Sequence, residues 1–217
     1  SNPEKFSIAS FSHNLKFLVT TANLNSIKIF NQDTKVMVGS LINKDNYIRA
    51  ININNSGQQL LTIHPNGTIK IWQISGQKFV ESLTLPRDQD NFVTANFTPD
   101  SQQVVTGNDK GEIKFWDLSG KLTLQKKAHQ GKIKSMTFNP DGTQLATLGE
   151  DDKIKIWNRD GNLITEFDSP QNNVNIIRFN TDGKILAVVG KKGDDNQINL
   201  LVVSGNSAGQ SLAELIV

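Results

Sequence analysis

An apolar triple, with members at the first, fourth and sixth places of a short run, recurs five times along the chain, and no other feature limits the possible folds so sharply. The copies are Phe6, Ala9, Phe11; Ile48, Ile51, Ile53; Phe92, Ala95, Phe97; Ile133, Met136, Phe138; and Val174, Ile177, Phe179. Their last members stand 42, 44, 41 and 41 residues apart, a period that accommodates four short strands and their turns. Nine residues after each last member comes Thr20, Thr62, Thr106, Thr147 or Val188, and nineteen after it comes Phe30, Trp72, Trp116 or Trp157. In the fifth copy an insertion through Lys191 to Asn196 moves the equivalent of the tryptophan to Leu201. A repeat of this size cannot bury its apolar side alone, so the copies must stack on one another.

The fourth copy, His129 to Trp157, shows the internal plan most completely. Ile133, Met136 and Phe138 lead into Asn139, Pro140, Asp141 and Gly142; Leu145 to Leu148 follow, then Gly149 to Asp152, then Ile154 to Trp157. These are β-type runs parted by turn residues, with no helical period. The same turn chemistry follows three other first strands, at Asn54 to Gly57, Thr98 to Ser101 and Asn180 to Gly183, where a small polar residue or proline followed by glycine or a polar residue suits a tight reversal. Asparagines gather in these turns, where tolerance of left-handed backbone would explain them. No helix is predicted.

At these residues the chain resembles the WD-repeat β-propeller family. The closing Trp-Asp pair stands outright as Trp116 and Asp117, and the third-strand pattern appears at Ile69 to Trp72, Ile113 to Trp116 and Ile154 to Trp157, with Ile27 to Phe30 as a variant. The resemblance implies an all-β fold of five four-stranded antiparallel blades, at about 3–43, 44–86, 87–128, 129–170 and 171–217, forming a single array. It also implies that Trp157, Thr147, His129 and Asp151 form a structural relay in which indole, hydroxyl, imidazole and carboxylate satisfy one another. The histidine column elsewhere reads Asn2, Lys44, Asp88 and Pro170, and the aspartate column Leu24, Asn66 and Lys110, with Asp109 one place early as a possible substitute. Only blade four is therefore expected to carry the full relay. Family rings usually have about seven blades within a range of roughly 4–8. Two closures stay open: a distorted ring of five, or a larger ring whose faces at blades one and five would be bare in this chain and promote self-association.

Bulk properties exclude several classes. The net charge of +2 is the small difference of 23 basic and 21 acidic residues, and only Arg49, Arg87, Arg159 and Arg178 are arginine, so no nucleic-acid face and no membrane-surface attraction is expected. No apolar run is long enough for a membrane span. The absence of cysteine removes disulfides and thiolate metal sites and agrees with a cytoplasmic setting. Gly107 to Gly111 connects two strands and opens no helix, so it is no phosphate loop. The histidines share no ligand spacing with carboxylates, and neither metal nor cofactor is expected. His129, Thr147 and Asp151 hold the residue types of a nucleophilic triad, but a nucleophile needs an exposed hydroxyl beside an oxyanion hole.

The expected function is a non-catalytic scaffold for another protein or a peptide, as a regulatory or sensor module of a longer protein; the chain begins at Ser1 rather than methionine. The alternative is a propeller enzyme or small-ligand binder using the central channel, but Ser7, Arg49, Val93, Lys134 and Asn175 at equivalent inner positions offer no converging acids or histidines. In such a blade the outer-to-inner connection and the second-to-third turn emerge on one face, and recognition is usually carried by loops on a rigid frame. That face collects Tyr47, Arg87, Phe92, Lys132, Glu150 and Lys192 as candidate partner-binding residues, with Phe92 also readable as the core opening of its strand.

Overall fold

The structure, a computed structural model, describes residues 6–12, 14–22, 26–42, 48–76, 78–86, 91–170, 172–192, 195–203 and 208–216. Its described elements are all strands, in five four-stranded antiparallel sheets, each made of strands consecutive in sequence. The first blade holds β1 (Phe6–Phe11), β2 (Phe17–Ala22), β3 (Ser26–Asn31) and β4 (Met37–Ile42), and the second β5 (Ala50–Ile53), β6 (Gln59–Ile63), β7 (Ile69–Ser75) and β8 (Lys78–Thr84). The third holds β9 (Phe92–Phe97), β10 (Gln103–Asn108), β11 (Glu112–Asp117) and β12 (Leu122–Lys127), and the fourth β13 (Ile133–Phe138), β14 (Gln144–Gly149), β15 (Lys153–Asn158) and β16 (Leu163–Asp168). The fifth holds β17 (Asn172–Phe179), β18 (Ile185–Lys192), β19 (Asp195–Val202) and β20 (Ser211–Ile216). The expected five-bladed β-propeller architecture therefore holds. The chain divides into two compact units, Ser1–Val105 with Trp116–Leu122, and Thr106–Phe115 with Thr123–Val217.

Because side chains alternate along a strand, each blade has two faces, and both units pack them in the same direction. In the first unit Val19, Ile27 and Ile29 of blade one form a core with Leu60 and Trp72 from one face of blade two. The other face of blade two, Leu61, Ile63, Ile69 and Ile71, packs with Phe92, Phe97, Val104 and Trp116. In the second unit Ala146, Leu148, Ile154 and Ile156 of blade four meet Leu186, Val188 and Leu201 of blade five. Full burial of one such aliphatic side chain is worth about 1.5–3 kcal/mol, so these interfaces, rather than single blades, hold the fold together. The repeated triple supplies the inner-strand part of each core: Phe92, Ala95 and Phe97 in one cluster, Val174 and Ile177 in another.

The turns after the first strands close as the sequence suggests, but the asparagines work differently. Amide-to-carbonyl bonds link Gly57 to Asn54 at 3.1 Å, Ser101 to Thr98 at 2.7 Å, Gly142 to Asn139 at 3.0 Å and Gly183 to Asn180 at 3.1 Å. The left-handed place is held by Gly57, Ser101, Gly142 and Gly183, not by asparagine. Asn54, Asn139 and Asn180 instead use their side-chain oxygens to accept the amides of Gln59, Gln144 and Ile185, which open the next strands. Thr98 does the same for Gln103 with its hydroxyl. Blade one repeats the device without its sequence signature: Leu15 takes φ 60° and bonds to the Ser12 carbonyl, while Ser12 Oγ accepts the Phe17 amide.

Two irregularities position side chains. The register between third and fourth strands slips at Ile29/Phe30, Ile71/Trp72, Ile156/Trp157 and Leu200/Leu201, so a bulge recurs at the aromatic column, where it bends the strand and re-aims the side chain. In blade five the inserted residues lengthen a hairpin, with Lys191 opposite Asn196 and Lys192 opposite Asp195.

Candidate functional site

Blade four draws its polar residues into one chain of hydrogen bonds. Thr147 lies mid-strand in β14, opposite Met136 on one side and Lys155 on the other, and is completely buried. The indole N–H of Trp157 donates to its Oγ1 at 2.9 Å, His129 Nε2 lies 2.7 Å from the same oxygen, and His129 Nδ1 lies 2.8 Å from Asp151 Oδ1. With the ring neutral and its proton on Nδ1, every group is satisfied: Trp157 to Thr147, Thr147 to His129, His129 to Asp151. Burial pushes the His129 pKa below its ordinary 6.5, outweighing the hydrogen bond and charge of Asp151. Burial raises that of Asp151, but the Gln130 amide and the His129 ring more than offset it and hold the carboxyl below 3.8. A hydroxyl fully buried and committed to an indole and an imidazole is not placed as an exposed nucleophile.

Gly149 makes room for this chain. A Cβ there would collide with the His129 ring and stand 2.5 Å from Asp151 Oδ1. The matching position in blade two is His64, and this exchange is what the sequence columns miss: His64 is buried, its Nε2 lies 3.2 Å from Thr62 Oγ1, and Trp72 donates to that hydroxyl at 3.0 Å. Blade two thus builds a Trp-Thr-His version with the imidazole two residues after the threonine instead of on the incoming connection. In blade three the same place holds Asn108, which turns toward its own hairpin, donating to Glu112 Oε2 at 2.9 Å and accepting the Glu112 amide at 2.8 Å. Asp109, the substitute offered by spacing, is exposed. In blade one Phe30 has no N–H to donate, and the buried Thr20 hydroxyl meets no hydrogen-bond partner among the described residues.

The relay also ties down the loops at its end of blade four. Asp151 Oδ2 accepts the Gln130 amide at 3.0 Å, Glu150 Oε2 accepts the Lys132 amide at 3.1 Å, and the Glu150 amide returns to the Lys132 carbonyl at 2.9 Å. Lys134 and Asp152 pair across the same edge at 3.1 Å. Of the sequence-predicted partner-binding residues, Lys132 and Glu150 are brought together here, with Glu150 exposed. Phe92 must be corrected: it is 1% exposed and packs edge-on against Trp116, ring centroids 6.1 Å apart at 89°, because the first place of the triple faces the inter-blade core. Tyr47, Arg87 and the Lys192 side chain lie outside the described residues. Among the described residues, no group of three or more histidine, cysteine, aspartate or glutamate side chains could hold a metal ion, and no helix is long and apolar enough to cross a membrane.

The family model for the WD domain, G-beta repeat, matches residues 77–117 and 120–158. Each matched stretch runs from the outer strand of one blade through the first three strands of the next, β8 to β11 and β12 to β15. Comparison with curated proteins finds no match.

Proposed function

We propose that this WD40-repeat β-propeller is a non-catalytic scaffold that binds another protein or a peptide through the loop face of its fourth blade, as a regulatory or sensor module. The observation that carries the proposal is the coupling of relay to loops: the buried Trp157-Thr147-His129-Asp151 chain ends on the incoming connection and on the β14–β15 turn, where Asp151 holds the Gln130 amide and its neighbour Glu150 holds that of Lys132. Loops fixed in this way present their side chains at little conformational cost on binding. The exposed carboxylates of Glu150 and Asp152, beside the half-buried Lys132 and Lys134, suit a polar partner surface.

Glu150→Gln keeps an oxygen to accept the Lys132 amide but removes the charge, so it separates binding from stability. Partner recovered with the full chain should fall at least about fivefold for Glu150→Gln combined with Lys132→Ala, a change of about 1 kcal/mol, with an unchanged melting temperature. Recovery unchanged there, but lost on altering the turns at Asn139 to Gly142 or Asn180 to Gly183 at the other ends of the strands, refutes the choice of face.

A further inference from the structure

The first blade carries an open, groove-like cavity that the scaffold reading does not use. Its volume is about 440 Å³, and it is lined by Leu18, Thr20, Phe30, Asn31, Gln32 and Lys35. Apolar walls with a few placed polar groups and this size are typical of sites for small organic groups. Leu18 and Phe30 are opposite one another across β2 and β3, and both are half-buried, whereas their counterparts Leu60 and Trp72 in blade two are buried.

The second observation is chemical. Thr20 is 8% exposed and its hydroxyl oxygen has no hydrogen-bond partner among the described residues. The matching hydroxyls of Thr62 and Thr147 each receive an indole N–H, at 3.0 Å and 2.9 Å. Blade one has Phe30 at the position of that tryptophan, so the acceptor beside the cavity is left without the N–H donor that this repeat supplies in blades two and four. A buried polar group without a partner is destabilising until something bonds to it. We propose that the cavity takes the indole of a tryptophan carried by a partner segment, its N–H donating to Thr20 Oγ1, its ring against Leu18 and Phe30, and the Lys35 ammonium at the rim beside the ring. The tryptophan's origin in a partner rests on the scaffold reading; indole recognition does not, and the two are measured separately.

The test is an NMR titration of the full chain with indole, 1-methylindole and N-acetyltryptophanamide. Indole should saturably shift the amides of Leu18, Thr20 and Lys35 and bind about fivefold more tightly than 1-methylindole, the factor expected of one neutral hydrogen bond. Thr20→Val should abolish that preference, and Phe30→Trp, which places the chain's own indole beside Thr20, should abolish binding of both. N-acetyltryptophanamide matching indole supports a peptide source; indole bound with the amide excluded overturns the partner while leaving the blade-four scaffold untouched. Absence of saturable shifts, equal affinity for the two indoles in the unaltered chain, or the same amides shifting only with protein concentration, as for a second copy on this face, overturns the proposal.

Discussion

Thr147→Val and Thr20→Val are the same change at equivalent places in the repeat, yet the structure assigns them opposite outcomes. Valine reproduces the shape of threonine and deletes only the hydroxyl. At Thr147 that hydroxyl serves two buried partners, Trp157 Nε1 at 2.9 Å and His129 Nε2 at 2.7 Å, and its loss strands both. A stranded buried polar group costs about 1–3 kcal/mol; because both belong to one network they do not simply add, and about 3 kcal/mol is expected. For a chain of this size that corresponds to a fall of about 6–12 °C in melting temperature. At Thr20 the hydroxyl has no described partner, so its removal should be neutral or stabilising by up to about 1 kcal/mol. Scanning calorimetry with urea melts on both variants measures the contrast. Adding Trp157→Phe to Thr147→Val should cost less than the sum of the single changes, since phenylalanine leaves no N–H to strand. Equal losses at Thr20 and Thr147, or strict additivity of the pair, would refute the reasoning.

Two further outcomes follow from the same site. His129 has a folded-state pKa below its ordinary 6.5, so the unfolded chain binds more protons there; its stability contribution is complete above about pH 6.5 and is lost as pH falls through that value toward the folded one, with the depressed Asp151 extending the loss below 3.8. His129→Ala should cost about 1–3 kcal/mol at pH 7 and flatten the upper part of this dependence, as urea melts between pH 7 and pH 5 would reveal; an unchanged slope would show that another group titrates. Gly149→Ala should destabilise by about 3 kcal/mol, as much as emptying the relay, because its Cβ displaces His129 and crowds Asp151; the change in thermal melting is the check, and a neutral result would mean that the ring is free to move.

The strands were legible because two independent signals agreed, the period of the apolar triple and the turn residues after it, so β9 at Phe92–Phe97 and β13 at Ile133–Phe138 span their triples from end to end. What escaped were places where one physical requirement has two solutions. A buried threonine hydroxyl needs an imidazole or its equivalent, but the ring can arrive from the preceding connection, as His129 does, or from two residues downstream, as His64 does; a search confined to one column finds only the first. Tolerance of left-handed backbone does not account for the asparagines: Asn54, Asn139 and Asn180 serve as side-chain acceptors, a role to which linear spacing is blind. Phe92 offers two readings in the sequence, a loop-face anchor or the core opening of its strand, and its burial against Trp116 decides for the second. The insertion in blade five left the strand pattern intact because residues added symmetrically to a hairpin preserve side-chain alternation.

The one-way packing of the blades makes the interfaces within each unit heterologous: a socket of β-branched residues such as Val19, Ile27 and Ile29 receives a plug such as Leu60 with Trp72. Since plug and socket differ, a blade turned back to front finds no complement, whereas a second copy of blade two placed after the first offers its Leu60 and Trp72 to the Leu61, Ile63, Ile69 and Ile71 surface that already accepts Trp116. Chains with this polarity can therefore lengthen or shorten by whole repeats while each junction stays chemically the same. Blade number is thus free to drift by gene duplication without redesign of the core.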